Sequence, residues 1–249
     1  MQSYDAIIIG TGQAGPALAH RLAGAGKTVA VVERKYFGGT CVNTGCIPTK
    51  TLVASAYAAH MARRASDFGV KIPCEITVDM KAVKARKDRV SGASRTGVEQ
   101  WLKGLKGCTV YEGHARFSGP HSVRVGDQEL EAPWIFINVG GRALAPPIPG
   151  LDKVGYLTNS SMMDVDFLPP HLIILGGSYI GLEFAQIYRR FGSEVSVIEL
   201  APRLIAREDE DVSAAVTDIL SGEGIKTYVN SGVKRVVREG NDIAVEITH

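Results

Sequence analysis

Apolar positions along this chain come in short runs, each closed by a glycine or a charge. Ala6–Ile9 is uninterrupted and stops at Gly10, and Leu172–Leu175 stops at Gly176. Continuous runs of this length predict parallel strands buried on both faces, since a half-exposed strand would alternate. After each glycine-rich stretch the spacing turns helical, clearest at Ile180, Phe184, Ile187 and Phe191, and a second apolar strand then ends in Glu33 or Glu199. The basic run Lys81 to Arg89, with Met80, Val83, Lys84 and Lys87 at helical spacing, predicts a helix with a solvated face. A helix is also expected from about Pro48 to Ala65, and a β-hairpin from Val233 to Thr248.

The two glycine-led segments are copies of one pattern. Gly10 to Glu33 aligns with Gly176 to Glu199 without a gap at an offset of 166, and 7 of the 24 positions are identical, including Gly10/Gly176, Gly15/Gly181 and Glu33/Glu199. Strand, tight turn, helix, strand is the opening half of a doubly wound dinucleotide fold. Its glycines let backbone approach a pyrophosphate at a helix N-terminus, and the carboxylate ending the second strand accepts hydrogen bonds from a ribose diol. Either copy alone could be an ordinary glycine turn; equal Gly-to-Glu spacing in both argues for function. Gly10, Gly12, Gly15 and Glu33 are thus candidate ligands of one dinucleotide, and Gly176, Ser178, Gly181 and Glu199 of another, with Ser178 at the place of the central glycine. The expected architecture is α/β, with two Rossmann-like units: residues 1–149 and residues 150–249.

Composition narrows the class. With 45% hydrophobic residues, 22% charged and a net charge of +2, the chain reads as an ordinary globular protein, with no sign of a nucleic-acid or membrane partner. No apolar run nears the ~18 residues of a membrane span. Met1 to Asp5 carries none of the marks of a secretory signal, so a cytoplasmic protein is expected. Four cysteines are too few for a disulfide framework, and of them only Cys41 and Cys46 are close in sequence. No histidine spacing suggests a metal site.

That pair lies in Gly38 to Lys50, GGTCVNTGCIPTK. Cysteines five apart, with glycines before and between them, can close a small disulfide ring leading into a helix, whose N-terminus lowers a thiol pKa. Lys50, four residues beyond Cys46, shares its helical face and adds positive charge. The plain alternative is two buried, unpaired cysteines and a surface lysine.

At these motifs the sequence resembles the class I pyridine nucleotide-disulfide oxidoreductases, which include dihydrolipoamide dehydrogenase, glutathione reductase and mercuric reductase. GTGQAG with Glu33 resembles the family's FAD motif, GGTCVNTGCIPTK its redox-disulfide motif and GGSYIGLE its nicotinamide-domain motif. The resemblance implies bound FAD, with Gly39 and Thr40 among its ligands, and NAD(P)H as electron donor. It implies Cys41 as the outer thiol that meets substrate, Cys46 as the inner thiol facing flavin, and Lys50 paired with Glu183. Tyr179 is similar to the tyrosine that covers the nicotinamide pocket, and Ser178 to the mercuric reductase branch. Ala115, in EGHARF, takes the place of a residue passing under the adenine; Gly140, in NVGG, keeps the glycine of a motif whose Thr is here Val139.

Family members are about twice as long as this chain. The resemblance puts a second FAD motif, a dimer-forming domain and a His-Glu acid–base pair beyond position 249. A homodimer is implied for the whole enzyme, and the 249 residues alone are expected to be inactive, as a fragment or a natural truncation. The implied substrate is a disulfide or a soft metal ion. A non-catalytic nucleotide-binding or redox-sensing module is the rival reading. Glu199, followed by Leu200, predicts a preference for NADH, against which stand Arg203 and Arg207 as possible ligands of a 2′-phosphate.

Overall fold

The computed structural model describes residues 1–248. Ala6–Ile9 forms a strand, as its apolar run predicts, in a four-stranded parallel sheet ordered Cys108–Glu112, Val29–Glu33, Ala6–Ile9, Trp134–Ile137. Successive residues of a strand face opposite sides. Ile7 joins Val32, Val123 and Leu130 in one cluster, and Ile8 joins Ala19, Val31 and Leu102 in another. The first cluster lies towards a second sheet, ordered Gln2–Ser3, Gln128–Glu131, Ser122–Val125, Ala115–Gly119, whose last three strands form an antiparallel meander. The second lies under the helix Ala14–Gly24 and the C-terminal part of the helix Met80–Lys103. An interior strand covered on both faces has no room for polar side chains, and this is why the run is purely apolar.

By its contacts the chain divides into Met1–Pro48 with Arg86–Arg142, and Thr49–Ala85 with Ala143–His249. The second unit has a three-stranded parallel sheet ordered Lys226–Tyr228, Glu194–Ile198, His171–Leu175. Here the expectation of a strand buried on both faces needs correction. His171–Leu175 is an edge strand of a small sheet, and Leu175 is 37% exposed. In the following helix, Tyr179–Phe191, residues Phe184, Ile187 and Phe191 are buried as the spacing predicts, with Ala185 and Tyr188 completing the face. Ile180 is 41% exposed, because it stands in the first turn, ahead of the stretch that packs on the sheet. Leu52 and Ala56 of the helix Cys46–Arg63 enter the same core.

Three other boundaries are informative. The helix expected from Pro48 to Ala65 runs from Cys46 to Arg63, followed by a short 3-10 turn Ala65–Phe68. Pro48 sits within the first turn, where its missing N–H is not needed, so the helix starts two residues earlier than the proline suggested. The hairpin expected over 233–248 is present as Gly232–Glu239 and Asp242–Thr248, turning at Gly240. The basic run does lie on a helix, but its solvated face is incomplete. Lys87 is 4% exposed, with its ammonium paired to Asp88, so its aliphatic stem is part of the packing. Among the described residues no helix is long and apolar enough to cross a membrane.

Candidate functional site

Both glycine-rich turns leave a parallel strand through a left-handed glycine, φ +106° at Gly10 and +109° at Gly176. A Cβ on Gly15 would overlap the carbonyl oxygen of Gly10, and one on Gly181 that of Gly176, so each helix packs its backbone directly on its turn. The central position is different. Nothing lies within 4 Å of a Cβ placed on Gly12, which faces open space, whereas a Cβ on Gly39 would stand 2.6 Å from the Gly12 Cα. Ser178, in the second turn, has φ −94° and ψ 174°, an extended conformation open to any residue, so serine there carries no strain.

The two strand-ending carboxylates do the same thing in both units. Glu33 accepts hydrogen bonds at Oε2 from the Thr11 amide (3.1 Å) and hydroxyl (2.6 Å), and at Oε1 from the Lys35 amide (2.9 Å). Glu199 accepts from the amides of Gly177 (2.6 Å) and Ala201 (2.7 Å). Thr11 and Gly177, like Lys35 and Ala201, are equivalent positions of the repeat, so one hydrogen-bond skeleton occurs twice. The sequence predicts a ribose contact for these carboxylates; bridging turn and strand end is a second role that the fold adds. Thr11 adds a further contact that no sequence pattern signals. It is fully buried and its hydroxyl accepts from the Gly38 amide at 3.2 Å, tying the first turn to the cysteine segment.

That segment bends through Gly38 and Gly39, both left-handed, into the short helix Gly39–Asn43 that carries Cys41, and Cys46 opens the long helix. Both are free thiols, Cys41 half-buried and Cys46 exposed. Burial, reinforced by the adjoining Cys46 thiol, pushes the Cys41 thiol above its ordinary pKa; the Cys46 and Ile47 amides offset only part of this. Thr40 is exposed beside them. Within the second unit, Lys50 pairs with Glu183, and Tyr179 is 69% exposed at the start of the helix Tyr179–Phe191.

A dinucleotide fits the first unit on two observations. Gly12 leaves a cradle that a side chain would fill, and Asn138 has a buried Nδ2 with no hydrogen-bond partner where the strand Trp134–Ile137 ends. Ligands of such sheets bind beyond the carboxyl ends of the strands. Ala115 begins the strand Ala115–Gly119, and Gly140 is left-handed and unobstructed. In the second unit Arg203 is turned onto its own loop, donating to Glu210 (2.8 Å) and to the carbonyls of Ala206 and Glu208, while Leu200 is 76% exposed. Among the described residues no group of three or more His, Cys, Asp or Glu side chains is placed to hold a metal ion.

A family model for pyridine nucleotide-disulphide oxidoreductases matches residues 4–249. The probable pyridine nucleotide-disulfide oxidoreductase RclA of Escherichia coli is 38% identical over 256 residues, covering 100% of this chain and 54% of the relative. A mercuric reductase of Streptomyces lividans is 38% identical over 250 residues, covering 98% and 52% respectively. A dihydrolipoyl dehydrogenase of Acholeplasma laidlawii is 34% identical over 239 residues, covering 94% and 71%. In structure, the Cu(II) complex of the HOCl-induced flavoprotein disulfide reductase RclA from Escherichia coli matches with a TM-score of 0.87 at 36% identity, covering 100% of this chain and 54% of that one. The chain thus spans about half the length of the first two relatives and of that structure.

Proposed function

This chain belongs to the pyridine nucleotide-disulphide oxidoreductase family, and on that footing we propose that it carries the FAD site, the nicotinamide site and the redox-active thiol pair of an NAD(P)H-dependent flavoprotein oxidoreductase. The observation that carries the reading is the dithiol Cys41/Cys46 in the segment tied by Thr11 to the first glycine-rich turn. Residues 1–149 serve FAD and residues 150–249 the nicotinamide. Gly10, Gly12, Gly15, Glu33, Gly39, Thr40, Ala115 and Gly140 hold the first, and Gly176, Ser178, Tyr179, Gly181 and Glu199 the second. When bound, the flavin supplies hydride acceptance from the nicotinamide and two-electron delivery to sulfur.

The residues themselves handle the substrate end. The Cys41 thiolate attacks a disulfide, forming a mixed disulfide and expelling one thiol; Cys46 then attacks Cys41, closing the internal disulfide and releasing the second. Because the Cys41 thiol is pushed up, its attack needs a base. Lys50, one turn beyond Cys46 and held by Glu183, places a cation on the same helical face. A second substrate class is favoured by the relatives named for mercuric ion and the one complexed with Cu(II), since a thiolate pair also takes up a soft metal ion. The whole enzyme is read as a cytoplasmic homodimer. For the protein extended to its relatives' length and loaded with flavin, anaerobic NADH should convert the internal disulfide to two new alkylatable thiols at Cys41 and Cys46. NADH consumption without new thiols there would refute the redox role and leave the nucleotide-binding module.

NADH is the nicotinamide we assign. Glu199 repels a 2′-phosphate, and Arg203, one of the two arginines that argue for NADPH, is engaged by Glu210 and two carbonyls. Wild-type kcat/KM should favour NADH, and Glu199→Ala should shift the ratio towards NADPH by about tenfold, the effect of roughly one lost charge-assisted hydrogen bond. A wild-type preference for NADPH, or an unmoved ratio in the variant, would show that this carboxylate does not select the cofactor.

A further inference from the structure

The segment between the two thiols is clamped by one side chain. Asn43 is the last residue of the short helix Gly39–Asn43, two residues after Cys41 and three before Cys46. Its Nδ2 donates to the carbonyls of Phe37 (2.9 Å) and Gly39 (2.8 Å), and its Oδ1 accepts from Nε of Arg95 (2.8 Å). The amide has only one sensible orientation here, because carbonyls can only accept and a guanidinium can only donate. Arg95 comes from the helix Met80–Lys103, is half-buried, and holds its guanidinium carbon 4.2 Å from the ring centroid of Tyr36. The carbonyls that Asn43 grips flank Gly38, and the two left-handed glycines 38 and 39 give this stretch its bend (φ +90° and +60°). Tyr36, Arg95 and Asn43 therefore form a relay from the long helix to the backbone on either side of that bend, with Cys41 inside the clamped span.

We infer that Arg95 is a positioning residue for the Cys41/Cys46 pair, acting through Asn43. The inference rests on the redox role assigned to that pair above. Glycines make this segment easy to bend and easy to loosen. A clamp that keeps it in one conformation raises the effective concentration of one sulfur at the other, and so favours the closed disulfide over the open dithiol. A charged donor makes the Arg95–Asn43 bond stronger than a neutral pair would be, and the planar fork lying on Tyr36 fixes its direction. Lysine at position 95 keeps the charge but loses that fixed direction.

The test uses the 249-residue chain equilibrated in glutathione buffers. The pair gives two electrons and two protons to one glutathione disulfide, which yields the Cys41–Cys46 bond and two glutathione thiols. Acid quenching, alkylation and peptide mass measure the ratio. For Arg95→Leu and for Asn43→Ala the constant for ring formation should fall about tenfold, equivalent to about 30 mV. Arg95→Lys should lose only about threefold, and the double variant Arg95→Leu/Asn43→Ala no more than Asn43→Ala alone, because both act through one relay. Should Arg95→Leu fail to fold, by thermal unfolding of the same samples, Asn43→Ala and Arg95→Lys still decide. An unchanged constant in the folded variants, or additive losses in the double variant, would overturn the inference. If the wild-type chain forms no Cys41–Cys46 bond at any glutathione ratio, the redox reading itself is refuted, and the positioning role with it.

Discussion

Cys41→Ser, in the protein extended to its relatives' length, should lower disulfide-reductase turnover by more than about a thousandfold, and Cys46→Ser should do so by a different route. Without Cys41 no mixed disulfide with substrate can form. Without Cys46 the mixed disulfide forms and has no internal thiol to resolve it, so it should accumulate on Cys41 and be visible by mass. With flavin bound, two-electron reduction of Cys41→Ser should retain a long-wavelength absorbance that Cys46→Ser lacks, since the inner thiolate is its source. Accumulation of the adduct on Cys46 in the Cys41 variant would reverse the two roles. Turnover surviving in both variants would remove the pair from the chemistry altogether.

Gly15→Val should destabilise the first unit by about 3 kcal/mol, whereas Gly12→Ala should leave stability within about 0.5 kcal/mol of wild type. The two glycines belong to one motif but face different things. A Cβ at Gly15 meets the Gly10 carbonyl oxygen, backbone that cannot move without parting helix from strand; a Cβ at Gly12 meets nothing. The Gly12 variant should instead weaken flavin binding tenfold or more, about 1.4 kcal/mol, because the methyl takes the room a pyrophosphate needs. Denaturant midpoints and a flavin titration on the same preparations separate these effects. Loss of stability in Gly12→Ala, or a stable Gly15→Val, would contradict this division of labour.

Where sequence reading succeeded and failed follows from how each feature is encoded. The interior strand Ala6–Ile9 is legible because burial on both faces forbids polar residues, and the repeat is legible because a left-handed glycine and a close helix approach tolerate little else. The meander of strands Ala115–Gly119, Ser122–Val125 and Gln128–Glu131 is not legible in the sequence, since it is short, carries arginine and glutamate, and covers the core with only one side. Lys87 reads as surface because its charge is plain in sequence while the partner and the direction of its stem are not. The bond between Asn43 and Arg95 spans 52 residues, and no local pattern announces it. Arg203 shows the converse limit. The chain supplies both a carboxylate and carbonyls within seven residues to hold it, and only the folded loop shows that they do so.

The carboxylates of Glu33 and Glu199, each bridging two backbone amides, bear on how fast a dinucleotide is captured. A glycine-rich loop that had to order itself around an arriving ligand would lose conformational entropy at that moment, and its association would be gated by loop closure. Here each turn is braced from within, by a carboxylate of the protein's own chain. A turn braced in this way has less order to gain when a dinucleotide arrives, so capture is expected to be set by diffusion and orientation, and differences in affinity between nucleotides to appear in their dwell times.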